Sequence, residues 1–114
     1  MQIRKPNTIE EYYYKKYTGD AVPFCRIVTA PKLFWGKWQG ITLGPLILRR
    51  NEQRVDVAVH EMVHVRQYYD NFIIGFVVKY LYWLLKYGYR KNPFEVEAYA
   101  VQNKVKEEMR VLKK

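Results

Sequence analysis

The stretch VDVAVHEMVHV, residues 55–65, contains the pentapeptide His60-Glu61-Met62-Val63-His64. Two histidines four positions apart project from one face of a helix, one turn above the other. Their imidazoles can then bind a single Zn²⁺ ion, with Glu61 beside the metal as the general base for its bound water. The flanking residues are apolar, so this helix is expected to be largely buried. Because unpaired charge in the interior is costly, the pattern predicts a metal site.

The composition indicates a single globular domain spanning residues 1–114. Hydrophobic residues make up 49% of the chain and aromatic residues 17%, which excludes an intrinsically disordered protein. Cys25 is the single cysteine and cannot form an internal disulfide, and the N-terminus lacks the apolar stretch of a signal peptide. We therefore expect a cytoplasmic protein, and a monomer.

The formal net charge of +9 favours an anionic partner. The basic residues are spread along the chain, however, and a well-solvated surface accounts for scattered lysines equally well. No nucleic-acid-binding signature accompanies them. A nucleic acid is therefore a weaker expectation than an acidic membrane surface or an acidic protein.

The N-terminal half is predicted to contain a helix followed by a strand. The helix starts near Thr8 and ends by Gly19, and residues 22–29 have the β-branched and aromatic composition of a strand. A loop follows, in which the apolar residues of 33–38 are expected to fold back onto the core.

Residues 41–43 and 46–48 are predicted to form two short strand pieces, interrupted by Gly44 and Pro45. A proline cannot donate a hydrogen bond to a sheet ladder, so this segment is predicted to be an edge strand or a bulge with partial pairing.

Two further helices are predicted around the histidine motif. The motif helix runs from about Val55 to Tyr69. The last helix is capped by Asn92 and begins at Pro93, and its predicted apolar face consists of three residues: Val96, Ala100 and Val101. Together with the strands, these helices predict an α+β fold.

The segment Phe72 to Leu85 is apolar but only 14 residues long. A helix needs about 20 residues to span a bilayer, and Lys79 in its centre adds about 2.5–3.5 kcal/mol against insertion. We therefore predict a buried core helix. Peripheral docking on a membrane is the alternative, because tyrosines, Trp83 and lysines are typical of the membrane interface.

A catalytic zinc site takes three protein ligands and keeps a fourth position for water. Once both histidines are used, the third ligand is expected to be a downstream carboxylate. Asp70 is too near in sequence, and residues 107–108 lie in a charged tail. Glu95 and Glu97 remain, in the first turns of the last helix. They face different ways, so only one of them is expected to reach the metal.

The pattern His60-Glu61-x-x-His64 followed by Glu95-x-x-Ala98 resembles the gluzincin group of zinc metallopeptidases. The resemblance covers residues 41–101 at most. It implies a small zincin-like domain, in which a short antiparallel or mixed sheet puts an edge strand beside the HExxH helix. It also implies that His60, His64 and Glu95 bind zinc and that Glu61 is the general base. Glu97 is the second choice as metal ligand.

The same resemblance implies that the substrate is a protein or peptide, held in an extended form along residues 41–48. Many members of the group have an aspartate or asparagine four positions after the ligand glutamate, where this chain has Tyr99. Asp56, one turn before His60, is the other candidate for orienting a ligand imidazole. Tyr87, Tyr89 and Tyr99 are the candidates for stabilising an oxyanion, and the sequence does not choose among them.

These features predict a zinc-dependent peptidase in which Glu61 takes a proton from the zinc-bound water. The alternative is a zinc-stabilised binding or regulatory module, whose basic surface docks on a membrane, a nucleic acid or a partner protein. Glu61 favours the enzyme, because a purely structural zinc site needs no general base.

Overall fold

The computed structural model describes residues 2–30, 40–51 and 54–112. The predicted packing of the apolar residues in 33–38 lies outside these ranges. Within them the chain forms, in order, β1 (Gln2–Arg4), α1 (Thr8–Thr18), β2 (Arg26–Thr29), β3 (Gly40–Leu43), β4 (Leu46–Arg49), α2 (Val55–Asp70), α3 (Ile74–Tyr87) and α4 (Pro93–Leu112). The fold is therefore α+β, as predicted.

The described strands form one mixed sheet in the order β1-β2-β4-β3. β2 and β4 are parallel, with Ile27 opposite Ile47, while the two outer pairs are antiparallel. Both isoleucines are buried in the core that the sheet shares with α1, α2 and α4. This order makes β3 an edge strand of the described sheet.

The two short strand pieces predicted in residues 41–48 are confirmed as β3 and β4, but Gly44 and Pro45 form the turn between them and not a bulge within one edge strand. Leu43 pairs with Leu46 across the turn, and Gly44 has a φ of 57°, which glycine adopts without strain. The proline removes no ladder donor there, and its carbonyl accepts a hydrogen bond from the Arg26 amide at 2.9 Å. Of these two strands only β3, Gly40–Leu43, is an edge of the described sheet, since β4 is paired on both sides.

The first helix begins and ends where the sequence indicates. The Asn7 side chain accepts a hydrogen bond from the Glu10 amide and caps α1, and Gly19 ends the helix with a φ of 72°. Glu10 is buried and pairs with Arg4 at 2.8 Å, which joins α1 to β1. β1 itself was not predicted, because three residues carry no periodic signal.

The burial predicted for the motif helix is confirmed. Five apolar residues of α2 have at most 1% of their surface exposed: Ala58, Val59, Met62, Val63 and Val65. All of them except Ala58 belong to the same core cluster as the buried face of α4. α2 is thus held between the sheet and α4.

The last helix has a different apolar face from the one predicted. Asn92 caps it as expected, since its Oδ1 accepts a hydrogen bond from the Phe94 amide at 3.0 Å. The buried stripe consists of Ala98, Val101 and Val105, at spacings of three and four residues. Val96 and Ala100 lie on the exposed side, so the predicted face is correct only for Val101.

The prediction that Phe72 to Leu85 is a buried core helix is wrong. In α3 only Phe76 is buried, in a cluster with Tyr68 and Phe94. The opposite face is an exposed row that we call the α3 stripe: Ile74, Val77, Val78, Leu81, Tyr82 and Leu85. One face of α3 packs on α2 and α4, and no described element covers the other. No helix in the described ranges has the length and apolarity needed to cross a membrane.

Candidate metal centre

His60 and His64 of α2 meet Glu95 of α4 in a buried cluster. The Nε2 atoms of His60 and His64 lie 3.2 Å and 2.9 Å from the same Oε1 atom of Glu95. Zinc–ligand bonds of about 2.0–2.2 Å in a tetrahedron place the ligand atoms about 3.4 Å apart. The three ligand atoms all lie within 4.8 Å of one another, so this group could hold a metal ion.

The positions of these side chains follow from two helices. The histidines are one turn apart on α2, so both rings project from its inner face. Glu95 lies in the first turn of α4, immediately after the Asn92 cap. Ala98, one turn further on, has no exposed surface. A small side chain at that position lets α4 pack closely against α2.

Gln67 orients His64 and was missed by sequence reasoning. Its Oε1 accepts a hydrogen bond from Nδ1 of His64 at 2.8 Å, and its Nε2 donates to the Phe94 carbonyl at 3.0 Å. With Nδ1 engaged by Gln67, Nε2 of His64 is the ring nitrogen that faces Glu95 and would bind a metal. The sequence signal that could have identified Gln67 is its position three residues after His64, on the same face of α2.

Tyr80 of α3 fixes the carboxylate of Glu95, and nothing in the sequence indicated this contact. Its hydroxyl donates to Oε2 of Glu95 at 2.6 Å, while Oε1 faces the histidines. Burial and this hydrogen bond raise the pKa of Tyr80, so its hydroxyl remains a donor. Burial alone would raise the pKa of Glu95, but hydrogen bonds from His60, His64 and Tyr80 lower it well below its usual range. Glu95 is therefore anionic.

The second-choice ligand, Glu97, lies outside the cluster. It accepts a hydrogen bond from Gln67 at 2.7 Å, forms an ion pair with Arg66, and has 47% of its side chain exposed. Residues two positions apart on a helix point in nearly opposite directions, about 200° apart. Glu97 therefore points away from α2 when Glu95 faces it. Gln67 contacts both Glu97 and His64, so Glu97 is linked to His64 through Gln67.

Asp56 does not make the contact predicted for it. Its carboxylate pairs with Arg54 at 3.2 Å and accepts a hydrogen bond from Gln102 at 3.1 Å. Within the described residues, Nδ1 of His60 is buried and has no hydrogen-bond partner. Asp56 faces α4 at Gln102, and this orientation takes it away from the imidazole it was expected to hold.

Tyr99 contacts His60 through its ring. The two rings meet edge to face, with centroids 4.5 Å apart and planes at 71°. The Tyr99 hydroxyl lies 3.2 Å from that of Tyr89. Tyr99 thus limits the orientation of a ligand imidazole by packing, where an aspartate or asparagine would do so by hydrogen bonding.

Glu61 is held by the edge strand. The hydroxyl of Thr42 in β3 donates to Oε2 of Glu61, and the Tyr68 hydroxyl donates to the Thr42 carbonyl at 2.9 Å. Thr42 was not singled out from the sequence, because only the fold brings β3 beside α2. These contacts fix the carboxylate next to the cluster and join it to the strand.

A cavity of about 500 Å³ opens at the cluster. Its walls include Glu61, the three metal-ligand candidates and the first residues of β3, from Gly40 to Thr42. Apolar side chains of α3 contribute as well: Phe76, Val77, Leu81 and Leu84. The site therefore combines a metal-binding cluster, a carboxylate, an edge strand and an apolar surface.

Comparison with known proteins gave no match: no family model, no curated protein and no solved structure is similar to this chain. The resemblance to the gluzincins stays a prediction that rests on the motif.

The choice between the two glutamates can be tested with a matched pair of substitutions. Glu95→Gln removes the negative charge of a candidate metal ligand, whereas Glu97→Gln changes a half-exposed group that contacts Gln67. We expect Glu95→Gln to lower zinc affinity by more than the about 10–100-fold typical of an outer partner. Glu97→Gln should stay within that range. Competition titration with a zinc-sensitive dye measures both, and the opposite ranking would reverse the assignment.

Proposed function

We propose that this protein is a zinc-dependent peptidase of the zincin-like type, with Glu61 as its general base. The observation that carries the proposal is the position of Glu61. It lines the same cavity as His60, His64 and Glu95, and it is held there by Thr42. A site that only stabilised the fold would need neither the carboxylate nor the cavity.

The residues of the cluster fit zinc as the metal. Two imidazoles and one carboxylate are the donor set of catalytic zinc sites that leave a position open for water. Zinc bound there would lower the pKa of its water to about 7 and polarise the carbonyl group of a substrate. Gln67 and Tyr80 each hold one of these ligands through its outer atom, which preserves their orientation.

Glu61 supplies the proton transfer in this proposal. Its carboxylate takes a proton from the attacking water and gives it to the nitrogen of the leaving amine, as the C–N bond breaks. The hydrogen bond from Thr42 occupies Oε2 of Glu61 and leaves Oε1 available for this transfer. Thr42 is therefore a positioning residue.

The substrate expected from this geometry is an extended segment of polypeptide. β3 is an edge of the described sheet and lines the cavity through Gly40, Ile41 and Thr42. Backbone groups on such an edge can pair with an added strand. The apolar residues of α3 in the cavity favour a substrate with an apolar side chain near the cleaved bond.

Tyr89 is the best placed of the three tyrosines considered for the oxyanion. It lines the cavity; burial, and then the hydrogen bond with Tyr99, raise its pKa, so its hydroxyl stays protonated. Removing an oxyanion donor costs about 10²-fold in kcat or more, and we expect Tyr89→Phe to lower kcat by about that factor without loss of zinc. Tyr87→Phe is the matched control and should leave kcat unchanged. Equal kinetics in the two variants would exclude Tyr89 from this role.

The proposal is tested by removing and restoring the metal. Incubation with a strong chelator should abolish cleavage of an unstructured polypeptide, and stoichiometric zinc should restore it while magnesium does not. Mass spectrometry of the products identifies the cleaved bonds. Cleavage that persists in protein shown to be free of metal would contradict the proposal.

A further inference from the structure

The α3 stripe is a continuous apolar surface. Its six residues recur at spacings of three and four positions, so they form one row along the helix. Leu85 has 89% of its surface exposed, and Phe72, just before the helix, has the same fraction. Phe72 has a φ of 58°, which non-glycine residues rarely adopt. Exposed apolar surface of this extent typically marks a binding face.

The charged residues of the segment that contains α3 have a single sign. Residues 71–94 contain no aspartate or glutamate but four basic residues: Lys79, Lys86, Arg90 and Lys91. Lys79 and Lys86 each follow a stripe residue by one position, so both lie about 100° around the helix from it, on the same flank. Both side chains are exposed. The stripe is therefore bordered along one side by ammonium groups.

We propose that the α3 stripe docks this protein on an anionic membrane surface. The apolar side chains would enter the boundary between headgroups and acyl chains, while the flanking lysines contact anionic lipid phosphates. Tyr82 belongs to the stripe, and tyrosine favours that boundary. α3 is short, and no described helix can span a bilayer, so the helix lies in the plane of the surface.

Two other occupants fit the stripe less well. A symmetric dimer would bury the stripe of one copy against that of the other, because a two-fold interface is made by the same patch on both subunits. Residues 71–94 contain no aspartate or glutamate, so this segment of one copy offers no acidic group to the basic flank of the other. A nucleic acid would match the charge but would leave Ile74, Val78 and Leu85 against a polar backbone. An anionic membrane surface matches both the apolar stripe and the basic flank.

Docking by this face also orients the cavity. Val77 and Leu81 belong to the stripe and line the cavity as well, so the two surfaces share an edge along α3. A docked protein would therefore hold the cavity beside the lipid headgroups. The polypeptide segments that can reach the cavity there are those next to a membrane. Membrane binding itself does not depend on the proposed peptidase activity.

The experiment is co-sedimentation of the full chain with vesicles. We expect binding to vesicles of equal parts phosphatidylcholine and phosphatidylglycerol, and binding at least about tenfold weaker to phosphatidylcholine alone, since each basic residue near an anionic surface contributes. Val78→Asp with Leu85→Asp should weaken binding by at least about tenfold, because the protein loses two exposed apolar side chains that docking would bury. Ile9→Asp with Val111→Asp is the matched control. It changes the net charge equally, at exposed positions on α1 and α4, and should bind like the wild type.

The outcomes separate the alternatives. Wild-type protein that stays in the supernatant with anionic vesicles would overturn the proposal, as would equal losses in the two aspartate pairs. Sedimentation velocity tests the dimer: a wild-type dimer that Val78→Asp with Leu85→Asp dissociates would assign the stripe to self-association instead. Circular dichroism checks that the variants fold. If the stripe variant does not fold, Lys79→Gln with Lys86→Gln decides, because undiminished binding by that pair would refute docking through this flank.

Discussion

Replacement of His64 by alanine is expected to abolish zinc binding, and with it the thermal stabilisation that zinc provides. Both His64 and His60 direct Nε2 to Oε1 of Glu95, so loss of one imidazole leaves two protein donors for the metal. A ligand that binds only the folded state stabilises it by about 4 kcal/mol at a free concentration one thousand times its Kd. The wild-type protein should show this increase on addition of zinc, and His64→Ala should not.

Elemental analysis and thermal melts, each with and without zinc, measure this prediction. Asp70→Ala is a suitable control, because Asp70 is at the exposed end of the same helix and belongs to no part of the cluster. It should bind one zinc ion per chain, like the wild type. Equal zinc content in His64→Ala and the wild type would show that the cluster is not the metal site.

Glu61→Gln is expected to retain zinc and thermal stability but to lose hydrolysis by about 10²–10⁴-fold, the usual contribution of a positioned proton-transfer group. The amide keeps the size of the side chain and can still contact the Thr42 hydroxyl, but it cannot accept a proton from water. The measurement is kcat on an unstructured polypeptide, with zinc content determined on the same sample.

Glu97→Gln is the matched control for this substitution, because it makes the same chemical change beside the cluster rather than in the cavity. It should cleave at nearly the wild-type rate. Cleavage that survives Glu61→Gln unchanged would refute Glu61 as the base. A zinc-loaded wild-type protein that cleaves no member of a diverse peptide library would favour the zinc-stabilised binding module instead.

Local sequence signals predicted the ends of α1 and α4, and they singled out the residues that the structure brings together as a group that could hold a metal ion. Thr8, Gly19 and Asn92 mark helix ends, and such signals depend only on residues a few positions away. The structure has α1 and α4 beginning, and α1 ending, where these residues indicate. The histidine spacing needs only a helix to bring both rings to one face. The choice of the third ligand could be narrowed to Glu95 and Glu97 because the start of α4 was recognisable.

The supporting contacts of the site could not be predicted in the same way. Thr42 and Tyr80 reach the cluster from β3 and α3, and their positions depend on packing between elements distant in sequence. The parallel pairing of β2 with β4 is equally nonlocal. The burial of Phe72 to Leu85 was misjudged because hydropathy reports what a segment contains, not whether another element is present to cover each of its faces.

The cluster also has a consequence for the topology of the chain. His64 and Glu95 are 31 residues apart, and the whole of α3 lies between them. A metal ion bound to both closes this segment into a loop, much as a disulfide does, and the entropy model for a loop of that length gives about 4 kcal/mol. An apoprotein lacks this cross-link, so we expect α3 to open more often than it does in the metal-bound protein. Amide exchange in α3 should therefore report metal occupancy.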